Sequence, residues 1–247
     1  MARVSDAGSV LAVIPARSGS KGIPNKNLAL LAGLPLVGHA IRFAAACPAV
    51  TRTIVSTDSE EIARVAAELG AEVPFIRPSE LARDDTPMWP VVRHALGQMD
   101  ATGGSYAYVL LLDPTSPVRD PVDVGRALGI LQADPRADGV VSVAEPGFNP
   151  VWQCVVERDG YMVHLVPDGT LLTRRQDAPR VYYIDGSIYL WRTSFVRSEH
   201  ESWFVGRLLM HVVESAGSID TQREFERLEA LVASGFVSLP WCEEDRR

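Results

Sequence analysis

The chain has 247 residues and carries a net charge of −7, with a sequence pI of about 5.3. This acidic balance argues against a nucleic-acid or anionic-membrane surface, and no apolar run approaches the roughly 20 residues needed to cross a bilayer. The three cysteines lack the spacing of a metal site, so we expect reduced thiols in a soluble cytoplasmic protein.

The first part of the chain predicts strands that alternate with helices. Apolar runs predict buried strands, and capped or amphipathic segments predict helices. In chain order these are a strand at 10–16, a helix at 34–46, a strand at 51–57, a helix at 58–69, a strand at 71–77, a helix at 86–99, a strand at 105–112, a helix at 120–133 and a strand at 138–145. Asp58 and Glu61 have the spacing of a capping box for the second helix, and Gly70 is placed to end it. This alternation is typical of an α/β protein with a doubly wound, mostly parallel sheet.

The pattern changes at about residue 146. Short strands punctuated by glycine and proline, in 151–166 and 170–183, predict an inserted β-arm. Segment 185–192 predicts a strand that returns to the sheet, and 221–234 predicts a final helix opened by a capping box at Thr221 and Glu224. We therefore expect an α/β core at 1–145, a β-arm at 146–183, and a segment at 184–247 that completes the core.

A basic, glycine-containing loop, "ARSGSKGIPNKN", follows the first predicted strand. It holds the only two lysines of the chain, Lys21 and Lys26, whereas the other 22 basic residues are arginine. Ligands of open α/β sheets bind beyond the carboxyl ends of the strands, so this loop lies where a phosphate would bind. Gly19 and Gly22 allow backbone amides to approach a phosphate, and Arg17 adds a third positive charge. The spacing is neither GxxxxGK[ST] nor GxGxxG. A solvated basic turn is the alternative, which the acidity of the rest of the chain disfavours.

Two aspartates are expected at the same edge of the sheet. Asp113 ends the strand at 105–112, and Asp220 directly precedes the capping residue of the last helix. Taken singly, Asp113 could form a turn and Asp220 could cap the helix. A bound polyphosphate usually needs a divalent metal held by oxygen ligands, so their joint position favours a metal site.

Six motifs occur in the order seen in the CMP-sialic acid synthetase (acylneuraminate cytidylyltransferase) family, which the chain resembles over nearly its whole length. They are "IPARSGSKGIPNKN", "VSTDSEEI", "IRPSELARDDTP", "LLLDPTSPVRD", "YIDGSIYL" and "SIDTQREFE". The resemblance implies a nucleotidyltransferase-like fold with nucleotide binding by 1–145. It implies an Mg²⁺-dependent reaction in which the anomeric hydroxyl of an acidic sugar attacks the α-phosphate of CTP and expels pyrophosphate. It also implies a homodimer whose β-arm reaches across to the partner.

The resemblance also implies roles for single residues. Those carried over to the nucleotide and its reaction are Arg17, Lys21, Lys26, Ser20, Asn27, Arg77, Asp84, Thr86 and Asp220. The first three match the residues that bind the triphosphate, and the next two complete the polar contacts of the loop. Arg77 matches an arginine near the cytidine, the backbone of 84–86 matches the segment that reads the base, and Asp220 matches a metal-binding aspartate. Arg175 matches the arginine that receives the carboxylate of the sugar.

Four positions depart from the family. Asp113 replaces a glutamine that faces the sugar, Asp185 replaces an asparagine, Trp152 stands in place of a carboxylate-binding lysine, and Ser218 stands where a second metal-binding aspartate is usual. The pair of Asp113 and Asp220 resembles the metal-binding scheme of CMP-Kdo synthetases, which would make Ser218 harmless. The other changes make the acceptor pocket more acidic and less able to clamp a carboxylate.

The identity of the acceptor therefore stays open. N-acetylneuraminate, a legionaminic or pseudaminic acid, and a smaller acidic acceptor such as a phosphonate are all compatible with these residues. A second hypothesis keeps the enzyme class but changes the base or the acceptor. A third, suggested by Ser218, is a nucleotide-binding protein that has lost catalysis.

Overall fold

The computed structural model describes residues 8–20, 22–167, 172–214 and 217–243. The strands found there, in chain order, are β1 (Val10–Pro15), β2 (Leu30–Leu31), β3 (Leu34–Pro35), β4 (Val50–Ser56), β5 (Tyr108–Leu111), β6 (Gly139–Ala144), β7 (Val155–Arg158), β8 (Tyr161–His164), β9 (Tyr183–Arg192) and β10 (Leu208–Val212). The α-helices are α1 (Leu36–Ala46), α2 (Glu60–Glu68), α3 (Met88–Ala101), α4 (Pro121–Ala133), α5 (Pro150–Gln153), α6 (Thr193–Arg197), α7 (Gln222–Ala233) and α8 (Pro240–Glu243). Within the described ranges, none of these helices combines the length and apolar character that a membrane crossing requires.

Six strands form one central sheet in the order β10, β6, β9, β5, β1, β4. β1 is parallel to β4 and β5, and β10 is parallel to β6, whereas β9 is antiparallel to β5 and β6. The predicted α/β class with a mostly parallel sheet is therefore confirmed. β9 runs in the opposite direction because the chain returns from the arm at the edge of the sheet where β6 ended.

The sheet is covered on both faces. β1 is buried along its whole length, and its side chains alternate between the two layers. Leu11 and Val13 pack into the cluster that includes α3, whereas Ala12 and Ile14 pack into the larger cluster that includes α1 and α4. The carboxyl ends of β1, β4 and β5 consequently lie side by side at one edge of a rigid core.

The predicted strand at 71–77 is wrong. This segment forms only two isolated parallel bridges with the chain at β4 and just beyond it, Ile54 to Glu72 and Thr57 to Ile76. Pro74 lies between the bridges, and a proline has no amide hydrogen to continue a ladder.

The arm also differs from its predicted strands. Segment 151–166 forms α5 and the β7–β8 hairpin, whereas 172–182 contains only a short 3₁₀ helix at Arg175–Asp177 before β9 begins. The first two residues of the predicted strand at 170–183 lie outside the described residues. The edge strand β10 was not predicted from the sequence.

The caps of two helices explain where those helices begin. Thr221 and Glu224 form the predicted capping box of α7. The expected box at Asp58 and Glu61 is wrong, because Ser59 caps α2 by accepting a hydrogen bond from the backbone N–H of Ile62. Asp58 is thereby left for another contact. Gly70, with φ of +90°, ends α2 as predicted.

The β7–β8 hairpin forms a two-stranded sheet of its own. Its turn, Asp159 and Gly160, has φ values of +53° and +80°, which suit the tight turn of a two-residue hairpin. Tyr161 and Met162 are 76% and 75% exposed. A small hairpin that exposes large apolar side chains is a candidate contact surface.

A buried histidine joins α1 to the end of the chain. Trp241 Nε1 donates a hydrogen bond of 3.0 Å to His39 Nδ1, and His39 Nε2 lies 2.8 Å from the carbonyl oxygen of Leu31. The carbonyl can only accept, so His39 is neutral with its proton on Nε2. Burial lowers the pKa of His39 below 6.5, and nearby Arg119 lowers it further, although backbone hydrogen bonds at Leu31 and Leu34 oppose the shift.

We expect the stability of the fold to fall as the pH drops below about 6.5. In this range His39 becomes protonated in the unfolded chain but stays neutral in the folded chain, so protons favour unfolding. Thermal unfolding followed from pH 7.5 to 5.5 should show a smaller decrease of Tm in His39→Gln than in the parent protein. His200→Gln, at an exposed position, is the control and should keep the parental slope. An unchanged slope in His39→Gln would rule out this histidine as a source of the pH dependence.

Candidate active site

Charged side chains from distant parts of the chain meet at the carboxyl edge of β1 and β5. They surround a cavity of about 200 Å³, lined by Pro15, Arg17, Gly19, Ser20, Lys26, Asn27, Arg77, Met88, Asp113, Thr115 and Asp220. Among these lining residues three are cations and two are carboxylates. The cavity thus combines the basic loop with both predicted metal-binding aspartates.

The loop after β1 is held by side chain to backbone contacts. The amide of Asn27, a buried residue, donates a hydrogen bond of 2.9 Å to the carbonyl of Arg17 and so joins the two ends of the loop. Asn25 adopts a left-handed conformation (φ +51°) just before the 3₁₀ helix at Lys26–Leu28. Arg17 forms an ion pair with Asp84. Lys21 lies outside the described residues.

Lys26 bridges the loop to the segment before α7. Its ammonium group donates a hydrogen bond of 2.9 Å to the carbonyl of Ile219 and lies 3.5 Å from the carboxylate of Asp220. The side chain of Lys26 is only 13% exposed, so its aliphatic stem is packed in the protein. The charge therefore has a defined position, opposite a carboxylate and inside the cavity.

Gly22 explains how the loop and this segment can approach so closely. A Cβ atom at position 22 would lie 2.1 Å from the carbonyl oxygen of Asp220, far inside van der Waals contact. Only glycine can occupy this position without displacing one of the two backbones. The glycine thus sets the distance between the basic loop and Asp220.

Arg77 places a second type of cation in the site. The residue is 3% exposed, and its Nε and Nη2 atoms have no hydrogen-bond partner among the described residues. Burial lowers the pKa of Arg77, the negative charge of Asp58 opposes this shift, and the positive charge of Arg17 adds to it. A buried guanidinium with unsatisfied donors at the wall of a cavity is suited to an anionic or polar ligand.

Asp113 begins a tight turn after β5. Its Oδ1 accepts hydrogen bonds from the backbone N–H and the hydroxyl of Thr115, at 3.0 and 2.9 Å. Among the described residues, Oδ2 accepts no hydrogen bond, and the residue lines the cavity. The turn-forming role and a ligand role are therefore compatible, since each uses a different carboxylate oxygen.

Asp220 is held in place by the start of α7. Its backbone N–H donates to Glu224 Oε2 at 2.9 Å, and Ser218 donates a hydrogen bond of 3.0 Å to its Oδ2. The neighbouring Ile219 N–H donates to the carbonyl of Thr115 at 2.8 Å, which ties this segment to the turn at Asp113. Ser218, which stands where a second aspartate is usual in the family that the chain resembles, thus orients the carboxylate of Asp220.

The donor set fits an Mg²⁺ ion that is shared with a ligand. No group of three or more histidine, cysteine, aspartate or glutamate side chains in the described ranges is placed to hold a metal ion. Two carboxylates beside a phosphate-sized cavity nevertheless suit Mg²⁺, which is usually bound by one or two carboxylates together with waters and phosphate oxygens. Asp113 and Asp220 are the residues that would hold it.

The other predicted residues lie around this centre. Ser20 lines the cavity, whereas Thr86 donates a hydrogen bond of 3.1 Å to the carbonyl of Glu80 in the loop that carries Asp84. Asp185 is buried at the start of β9 and accepts a hydrogen bond of 3.1 Å from the hydroxyl of Ser187.

Two predicted residues lie in the 146–183 segment. Trp152 is half-buried in α5. Arg175 lies in the 3₁₀ helix of the arm, and its side chain is outside the described part of the structure. The predicted roles of these residues remain predictions.

Two residues that position the site were not predicted as functional. Asp58 accepts hydrogen bonds from the backbone N–H and the hydroxyl of Ser18, at 2.9 and 2.8 Å. Arg119 is buried and donates to the carbonyls of Asp113 and Ser187, at 2.5 and 2.7 Å, which ties the turn after β5 to β9. Burial lowers the pKa of Arg119 to about 10, against the opposing charges of Asp113 and Asp185, so it stays protonated at neutral pH. In the sequence, the position of Arg119 directly after "TSPV", close to the end of a predicted buried strand, was the feature that could have indicated a role at the site.

A larger cavity, of about 810 Å³, lies elsewhere, between the β2–β3 hairpin and the end of the chain. Its lining is mostly apolar and includes Leu30, Val232, Val237 and Leu239. Among the described residues that line it there is no lysine or arginine. In contrast to this apolar cavity, the smaller one brings three cations and two carboxylates together beyond the carboxyl ends of β1 and β5, so we assign the chemistry to it.

The fold and this site together define a nucleotidyltransferase-like enzyme, with a mostly parallel sheet and a cation-lined cavity beyond the carboxyl ends of its strands. The family model described as cytidylyltransferase matches residues 11–233, and the chain belongs to this cytidylyltransferase family. The resemblance to CMP-sialic acid synthetases seen in the motifs is thereby confirmed.

Named relatives and a solved structure agree with this assignment. The chain is 34% identical over 226 residues to the CMP-N,N'-diacetyllegionaminic acid synthase of Legionella pneumophila, covering 90% of this chain and 96% of that enzyme. It is 31% identical over 221 residues to the N-acylneuraminate cytidylyltransferase of Escherichia coli, covering 88% of this chain and 50% of that enzyme. The fold is similar to that of a CMP:2-keto-3-deoxy-manno-octonic acid synthetase complexed with CTP, with a TM-score of 0.71 at 19% identity and coverage of 92% and 99% of the two chains.

Proposed function

We propose that the protein transfers the CMP group of CTP to the anomeric hydroxyl of a sialic acid-like nonulosonic acid and releases pyrophosphate, with Mg²⁺ as the metal. The observation that carries this proposal is the cavity in which Arg17, Lys26 and Arg77 face Asp113 and Asp220. The names of the relatives supply the acceptor class, because they include a CMP-N,N'-diacetyllegionaminic acid synthase and an N-acylneuraminate cytidylyltransferase.

The residues of the chain act by positioning and by charge. Arg17, Lys26 and the Gly19–Ser20 backbone bind the phosphates, and Lys26, held in its fixed position, stabilises the charge that develops on the leaving pyrophosphate. Arg77, which lines the cavity, is placed on the nucleoside side of the ligand. A bound Mg²⁺ would neutralise phosphate charge and polarise the phosphoryl oxygen. No side-chain nucleophile is needed, because the attacking hydroxyl belongs to the sugar.

The acceptor pocket is proposed to lie beside Asp113 and Asp185, with Trp152 and Arg175 contributed from the arm. Arg119 donates to the carbonyls of Asp113 and Ser187, and the hydroxyl of Ser187 donates to Asp185, so a buried network links the first two residues. The acidic replacements Asp113 and Asp185 favour an acceptor that differs from N-acetylneuraminate in the groups that face them. A diacetylated legionaminic acid is the first candidate, since the relative from Legionella is named as a CMP-N,N'-diacetyllegionaminic acid synthase.

A matrix of nucleotides and acceptors tests this function. The purified protein is incubated with Mg²⁺ and each of the four NTPs, together with N-acetylneuraminate, legionaminic acid, pseudaminic acid or a phosphonate, and pyrophosphate release is measured. We expect turnover with CTP and one of the nonulosonic acids. Turnover with the phosphonate alone would transfer the proposal to that acceptor, and tight CTP binding without any turnover would favour a protein that has lost catalysis.

We also propose a cytoplasmic homodimer formed through the 146–183 arm. The exposed apolar side chains Tyr161 and Met162 of the β7–β8 hairpin support the interface. Cys47, Cys154 and Cys242, which form no disulfide within the part of the chain that the structure describes, support the compartment. In this assembly Arg175 would serve the site of the partner.

Replacing both Tyr161 and Met162 by lysine is expected to give a monomer, because two charges on the hairpin oppose burial against a partner. Sedimentation measures the mass, and CTP titration measures nucleotide binding. Turnover should be lost in the monomer while CTP binding is partly retained. Lysines at the exposed positions Val122 and Phe236, outside the arm, form the matched control and should leave the dimer intact. A parent protein that sediments as a monomer would refute the proposal.

A further inference from the structure

Asp58 joins two parts of the nucleotide site that are far apart in the sequence. It lies two residues after the end of β4 and accepts two hydrogen bonds from Ser18, one from the backbone N–H (2.9 Å) and one from the hydroxyl (2.8 Å). Each carboxylate oxygen takes one of these bonds. Ser18 lies between Arg17 and Gly19, both of which line the cavity. The carboxylate therefore fixes the backbone of the basic loop at its first turn.

The end of β4 also holds the segment that carries Arg77. The backbone N–H of Arg77 donates a hydrogen bond of 2.7 Å to the carbonyl of Thr57, and the N–H of Ala16 donates one of 2.9 Å to the carbonyl of Ser56. The three consecutive residues 56–58 thus organise both the loop and the buried arginine. Burial lowers the pKa of Arg77, and the negative charge of Asp58 opposes that shift.

Asp58 is not needed to begin α2. Ser59 occupies the N-cap position and accepts the hydrogen bond from Ile62 N–H. An aspartate at the start of a helix is usually explained as a cap, but here that role belongs to its neighbour. The contacts of Asp58 and the stability of α2 can therefore be separated by mutation.

We propose that Asp58 is a positioning residue for nucleotide binding, whose two hydrogen bonds to Ser18 set the conformation of the basic loop before the triphosphate binds. This inference rests on the proposed function, since it assumes that the loop binds CTP. Asp58 carries a negative charge, which on its own would weaken the binding of a triphosphate. Its contribution as a loop clamp must therefore exceed its repulsion.

These two effects predict opposite results for Asp58→Ala. If the carboxylate clamps the loop, the Kd for CTP rises by about tenfold, the scale expected for two hydrogen bonds to a charged group less the relief of repulsion. If the carboxylate acts only by its charge, CTP binds more tightly. A merely structural role would lower Tm and leave the Kd for CTP unchanged. Asp58→Asn retains an oxygen that accepts from the Ser18 N–H, and should recover part of the affinity.

The experiment is calorimetric titration of CTP with Mg²⁺ in the absence of any acceptor, together with thermal unfolding of each variant. Ser59→Ala is the matched control, because it removes the cap of α2 one residue away and should lower Tm without changing the Kd. Ser18→Ala should weaken CTP binding in the parent but have no further effect in Asp58→Ala, since the hydroxyl then has no carboxylate to bind. If the parent binds no CTP, the proposed function fails. If the parent binds CTP and Asp58→Ala binds it equally well or better, the clamp is refuted while the proposed function stands.

Discussion

Replacing Lys26 by arginine is expected to reduce kcat/KM for CTP by about a thousandfold, the upper range for loss of one charge-stabilising donor in an active site. The charge is conserved in this variant, but its shape is not. The lysine stem is packed with only 13% of the side chain exposed, and its ammonium lies between the carbonyl of Ile219 and the carboxylate of Asp220. A planar guanidinium needs more room and a different donor geometry, so it would move either the loop or the segment before α7.

Two further variants separate charge from shape. Lys26→Met keeps the volume of the stem without the charge and should lose as much activity as Lys26→Arg, and thermal unfolding of both variants shows whether the fold is retained. Arg64→Lys, in an exposed ion pair with Glu68 on α2, is the control for an exchange of the same two residue types and should remain fully active. Steady-state kinetics with CTP and a saturating acceptor provide the measurement. Activity in Lys26→Arg within a few-fold of the parent would show that any cation suffices at this position.

The arginine-rich composition made this prediction available from the sequence. Both lysines of the chain fall in one glycine-containing loop after a buried strand, and the fold places that loop at the ligand edge of the sheet. Gly22 was expected to admit a phosphate. The structure shows a second reason for it, since a side chain there would collide with the backbone of Asp220. Such a contact joins residues 198 positions apart and cannot be derived from local pattern.

The positioning residues were harder to predict for the same reason. Asp58 has the spacing of a helix cap, and only the structure shows that Ser59 takes that role and that Asp58 reaches Ser18, 40 residues away. Arg119 is an arginine in a chain with 22 of them, and its burial follows from partners in the turn after β5 and in β9. Periodicity predicts which strands are buried, but it does not predict which charged residue is buried with them.

Replacing either Asp113 or Asp220 by asparagine is expected to lower kcat/KM by about a thousandfold or more, because each would remove one of the two carboxylates proposed to hold Mg²⁺. The two residues line the same cavity, and the bond from Ile219 N–H to the carbonyl of Thr115 ties their segments together. Asp113 has one carboxylate oxygen in its turn and one directed to no partner among the described residues, so a metal ligand can be lost without losing the turn. The Mg²⁺ concentration needed for half-maximal activity should rise in both variants.

Asp185→Asn distinguishes this metal role from a general need for acidic residues at the site. Asp185 is buried beside Ser187 on β9 and is proposed to face the acceptor, so its replacement should alter the KM for the sugar and leave the Mg²⁺ dependence unchanged. Ser218→Asp adds a carboxylate at the position where the family usually has one. If Asp113 already completes the metal-binding pair, this variant should be no more active than the parent. If Asp113→Asn retains the parental Mg²⁺ dependence while Asp220→Asn is inactive, the two aspartates do not form a metal-binding pair. The role of Asp113 would then be confined to its turn and to the acceptor, and Ser218, through its hydrogen bond to Asp220, would mark a site with a single metal-binding carboxylate.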